Sequence, residues 1–96
     1  SYGFTRARNR ALLNISVIDS QTMTPLPAVV SGTRTNILGQ VLPLEFVQIK
    51  EQNAIYYIAQ LRFTEEEMWR FELTVQPDLN AKPIPLKFSQ IFYLEQ

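Results

Sequence analysis

Apolar and polar residues alternate with period two along most of the chain, the pattern of β-strands that bury one face. In "RALLNISVI", Leu13, Ile15 and Val17 share one face, and Leu12, Asn14, Ser16 and Ile18 share the other. "AIYYIAQLRF" is the strongest strand. Ile55, Tyr57, Ala59, Leu61 and Phe63 form one phase, and Tyr56, Ile58, Gln60 and Arg62 the opposite one. "WRFELTVQ" sets Trp69, Phe71, Leu73 and Val75 inward against Arg70, Glu72, Thr74 and Gln76. "IPLKFSQIFYLE" predicts a closing strand with Ile84, Leu86, Phe88 and Phe92 toward the core. "AVVSGTRTN" predicts a shorter strand, with Gly32 marking a bulge. "VLPLEFVQIKE" reads as one strand that alternates Leu42, Leu44 and Phe46 against Pro43 and Glu45. Pro43 has no N–H to give a ladder, so that strand lies at an edge or is interrupted there.

Between these runs stand "DSQTMTPLP", "ILGQ", "EQN" and "PDLNAKP", rich in residues that favour turns. No segment has the spacing of a useful amphipathic helix. Six short strands joined by turns predict an all-β sandwich or barrel. With no internal repeat or linker, residues 1–96 form a single domain.

The stretch "FTEEEMWRF" tests this reading. Thr64 and Glu67 match a helix capping box, yet the residues that follow alternate strictly from Trp69 to Val75. The strand pattern therefore prevails, with at most one helical turn at Thr64–Met68. Glu65, Glu66 and Glu67 read as a solvated connection. They lack the glycine and Asp/Asn spacing of a calcium loop. Trp69 reads as a core anchor.

Charge and composition narrow the function. Nine basic and nine acidic residues cancel, which argues against nucleic acid or an anionic membrane as the main partner. Arg6, Arg8 and Arg10 read as a solvated lead-in. The chain has no cysteine and no histidine. Thiol chemistry, disulfides and imidazole-based catalysis are excluded. No apolar run approaches the roughly 20 residues of a membrane helix. No catalytic residue, metal ligand or cofactor is assigned.

The remaining candidates concern binding. "SGTRTN" gathers Arg34, Thr35 and Asn36 as candidate ligand-binding residues for a sugar or carboxylate, against the plainer reading of a strand's wet face. Tyr56, Ile58, Ile91 and Tyr93 fall in outward phases and are candidate partner-binding residues. "NIS" at Asn14–Ser16 matches a glycosylation sequon, but a glycan is hard to place in a strand, and we read it as a chance match.

"RALLNISV", "VSGTRTNILGQ", "AIYYIAQLRF" and "RFELTVQP" together resemble a family of small exported gammaproteobacterial domains of unknown function, over nearly the whole chain. The resemblance implies a periplasmic setting. It also implies a signal peptide and a further segment before "YGFTRARNRALLNIS" that are not in this chain. It supplies no catalytic residues. "SVID", "YIAQLRF" and "WRFELTV" are more loosely similar to periplasmic immunoglobulin-like domains, which favour glycine where this chain has Glu66-Glu67-Met68. This likeness implies an immunoglobulin-like antiparallel sandwich, in which the first long strand pairs with "AIYYIAQLRF" and "WRFELTV" with the last strand. Seven strands complete such a fold, one more than the pattern yields. The first strand is then missing, supplied by another chain, or formed by Ser1–Arg10. The expected function is a non-catalytic periplasmic interaction or structural module, with a protein partner or self-association. The second reading is a small-ligand or carbohydrate-binding domain that uses strand-end loops.

Overall fold

The computed structural model describes residues 9–93. Seven strands follow in chain order: β1 (Arg10–Ile15), β2 (Val29–Asn36), β3 (Val41–Leu44), β4 (Val47–Glu51), β5 (Ala54–Arg62), β6 (Glu67–Gln76) and β7 (Ile84–Phe92). They form two antiparallel sheets, β1-β5-β4 and β3-β2-β6-β7. In immunoglobulin-like terms the first sheet has the order B-E-D and the second C′-C-F-G. The expected pairings are present: Leu13 opposes Ala59 between β1 and β5, and Phe71 opposes Phe88 between β6 and β7.

The seventh strand comes from "VLPLEFVQIKE", which the periodicity reads as one strand. The chain leaves one sheet after Leu44 and joins the other at Val47, with Glu45 and Phe46 making the crossing. The side-chain phase carries through the crossing. Leu42 and Leu44 oppose Arg34 and Gly32 on the inner face of β2, and in β4 it is Gln48, in the same phase, that opposes the buried Tyr57. Pro43 sits in β3, which pairs only with β2, as a residue without a ladder donor requires.

One local expectation fails. Gly32 holds regular register with Leu44 and Leu73, so there is no bulge. A Cβ at Gly32 would lie 2.5 Å from the Glu72 carbonyl oxygen and 2.6 Å from Leu73 Cδ2. Glycine is there because β6 and its leucine come so close. At Thr64–Met68, where the pattern allows at most one helical turn, none forms: β6 is already extended at Glu67.

The core consists of Leu44, Ala59, Leu61, Trp69, Phe71 and Leu73, with Leu13, Ile15, Phe46 and Phe92 packed against it. Phe71 stacks on Phe88 at 4.9 Å and meets Phe92 edge-on at 6.2 Å, while Phe63 stacks on Phe92 at 5.1 Å. These aromatic contacts lock the end of β5 to the end of β7. The Tyr57 hydroxyl accepts from Ala28 N across the sandwich at 2.6 Å and from Gln48 Nε2, opposite it in the same sheet, at 2.9 Å.

β7 departs from expectation in burial, not in phase. Ile84, Leu86 and Phe88 oppose Val75, Leu73 and Phe71 on the inner face, yet they are 48%, 38% and 38% exposed. A four-stranded sheet faces a three-stranded one, and nothing among the described residues lies beside β1 to cover β7. That place is the A-strand position of an immunoglobulin-like sandwich. The Ser1–Arg10 alternative for filling it falls almost wholly outside the described residues.

Candidate functional site

The β2–β3 turn and the β5–β6 connection meet at one end of the sandwich. Arg34 and Asn36 belong to the inward phase of β2, opposite Phe71 and Trp69. Both are buried. They are not the wet face of the strand; Ser31, Thr33 and Thr35 are in that phase.

Asn36 is consumed by its own turn. Its Oδ1 accepts from Leu38 N at 3.0 Å and Gln40 N at 2.9 Å, and its Nδ2 donates to Gln40 Oε1 at 2.9 Å. Gly39 supplies the left-handed position, with φ +83°. The candidate is therefore a turn-forming residue first.

Arg34 is different. Only 8% exposed, it lays its guanidinium over the Trp69 ring, 4.3 Å from the centroid. Its Nη1 donates to the Arg62 carbonyl oxygen at 2.7 Å, which ties β2 of one sheet to β5 of the other. Burial lowers its pKa, and attraction to Glu67 partly opposes that shift; a guanidinium remains charged at neutral pH all the same. Beneath it, Trp69 Nε1 is buried without a hydrogen-bond partner.

Above this pair opens a groove of about 500 Å³. Leu42 and Phe63 form apolar parts of its wall, and Glu65, Glu66 and Glu67 line it from the β5–β6 connection. The structure thus brings the "SGTRTN" and "TEEE" stretches together, about 30 residues apart in sequence. Sequence reasoning weighed them separately. Arg34 joins them in the structure, since it lies in the inward phase of β2 opposite Phe71 and over Trp69. Thr35 opposes Arg70 on the outer face and does not line the groove.

The four candidate partner residues do not converge. Tyr56 and Ile58 oppose Ile49 and Val47 on the outer face of the three-stranded sheet and are half-buried there. Ile91 opposes Met68 on the outer face of the other sheet, and Tyr93 follows just beyond β7. A second opening lies between the sheets on the β1/β7 side, a hollow of about 230 Å³ lined by Leu12, Leu13, Phe71, Phe88 and Phe92. Among the described residues no group of three or more His, Cys, Asp or Glu is placed to hold a metal ion. No helix among them is long and apolar enough to cross a membrane.

Fold and site together define a small all-β sandwich domain, its β1 edge unpaired among the described residues, with a groove at one end. The chain belongs to the family described as Domain of unknown function (DUF4426), whose profile matches residues 1–95. Its fold is similar to the crystal structure of a DUF4426 family protein from Pseudomonas aeruginosa PAO1, with a TM-score of 0.85 and 24% identity, over 95% of this chain and 80% of that one. None of the curated proteins matches the chain.

Proposed function

We propose that this domain is a non-catalytic interaction module that associates through the free edge of β1, the strand donor being a second copy of the chain. The observation that supports this reading is the mismatch between the sheets: among the described residues β1 pairs on one side only, and the β7 residues it would need a neighbour to cover are half exposed.

Edge chemistry points the same way. Free edges are normally guarded by proline or charge. β3 carries Pro43, β4 carries Lys50 and Glu51, and β7 carries Pro85 and Lys87. β1, "RALLNI", has no proline and no charge after Arg10. An antiparallel β1–β1 contact satisfies backbone donors and acceptors by strand addition and repeats the same surface on both partners, as a two-fold contact requires. The family resemblance supports the bacterial periplasm as the setting.

Leu12 is 53% exposed on this edge. Leu12→Lys is expected to raise the dimer dissociation constant about tenfold or more without changing the thermal midpoint of the isolated chain. Light scattering across a dilution series measures the first, and calorimetry the second. A wild-type chain that stays monomeric at every concentration would remove this reading.

A further inference from the structure

Independently of any association through β1, we propose that the end groove over Arg34 and Trp69 binds a small zwitterion: a carboxylate held by Arg34, an apolar side group against Leu42 and Phe63, and a cationic group facing Glu65, Glu66 and Glu67. A short peptide with a free C-terminus has this chemistry.

Three observations on the described residues converge. The first is the state of Arg34. Its partners are the Arg62 carbonyl, the Trp69 ring and, through longer-range attraction, Glu67. Of these only the carbonyl accepts a hydrogen bond, from Nη1. A guanidinium carries five N–H donors in a planar fork suited to a carboxylate. Arg34 is more than nine-tenths buried and yet forms part of the groove lining. A buried cation without a hydrogen-bonded anion is costly, and a bound carboxylate offsets that cost directly.

The second observation is the charge around the groove. Arg34 and Arg62 contribute two positive charges, and Glu65, Glu66 and Glu67 three negative ones. A simple anion would meet the glutamates on approach. A ligand that carries both signs matches the floor and the rim together. The third is the wall: Leu42 is 40% exposed in the inward phase of β3, and Phe63 is buried beside it in the lining. The groove thus combines an apolar wall with charges of both signs, as small-ligand sites commonly combine apolar lining with a few polar groups.

Trp69 is the chain's single tryptophan, so its indole N–H gives one resolved signal in a ¹⁵N correlation spectrum. The probe is the dipeptide lysyl-leucine, compared with its C-terminal amide. The expected result is a saturable shift of the indole signal with the free acid, and binding about tenfold or more weaker with the amide. Arg34→Lys, which keeps the charge and loses the fork, weakens the free acid to the level of the amide. Leu42→Glu, from a half-exposed position, places a competing carboxylate beside Arg34 and abolishes the shift; it serves in place of Arg34→Lys if that variant does not fold. The proposal is overturned by equal binding of acid and amide, by a response that survives both variants, or by no saturable shift up to the solubility limit.

Discussion

At the scale of single residues, the inner face of β2 explains both what was legible and what was not. Trp69, Phe71, Leu73 and Val75 are read correctly as inward because unbroken alternation leaves one phase to bury. Gly32 and Arg34 occupy the corresponding phase of β2, where neither residue type announces burial. A missing side chain reads as a bulge until its neighbours are known, and only the register shows Leu73 filling the space. Arg34 reads as solvent-facing until the Trp69 ring and the Arg62 carbonyl are found around it. Gly32 provides the direct check. Its missing Cβ would collide with backbone as well as with a side chain, so Gly32→Ala is expected to destabilise by about 1–3 kcal/mol. Urea unfolding measures this through the midpoint, with the slope unchanged. A neutral result would mean that β2 and β6 can separate at no cost.

At the scale of elements, the chain's turns and crossings carry what periodicity cannot. Pro43 announces an edge or a break, yet nothing in "VLPLEFVQIKE" says that its two halves belong to different sheets. Alternation records the face a residue points to, not which sheet it has joined. The β1–β2 connection is clearer. Asp19 Oδ1 accepts from Gln21 N at 2.8 Å and Thr22 N at 3.0 Å. The Asp19 backbone closes the turn, its carbonyl taking Met23 N and its N–H reaching the Thr24 carbonyl, with Met23 at φ +58°. Those two amides hold the Asp19 carboxyl below its ordinary value of 3.8, the Thr22 bond first. A folded-state pKa that is lowered favours the folded turn above the ordinary value, and that contribution is lost as the pH falls through the lowered one. The carboxyl carbon of Asp19, followed by NMR, is therefore expected to titrate with a midpoint below 3.8, the Gln21 and Thr22 amide signals moving with it. A midpoint at or above that value would break the link between the turn and its carboxylate.

At the scale of the whole molecule, an all-β sandwich or barrel was readable from turn chemistry and phase, and the likeness to periplasmic immunoglobulin-like domains implied the immunoglobulin-like sandwich. Among the described residues the two sheets take the orders B-E-D and C′-C-F-G, with no strand in the A position. What the sequence could not convey is the consequence for β7. Ile84, Leu86 and Phe88 alternate like core residues, yet nothing among the described residues covers them. The candidate sites divide on the same principle. Outward apolar pairs such as Tyr56 with Ile58 and Ile91 with Tyr93 are visible as phases, but placing them on opposite outer faces requires the topology.

The central claim, that a second copy adds a strand beside β1, rests on backbone donors, and amide hydrogen exchange reads those donors one by one. In β1, the amides that point away from β5 should be protected in concentrated solution and lose that protection on dilution, while the amides of β5, paired on both sides, stay protected throughout. If the outward β1 amides exchange freely at every concentration, or remain protected in a dilute monomer, the association through β1 is contradicted.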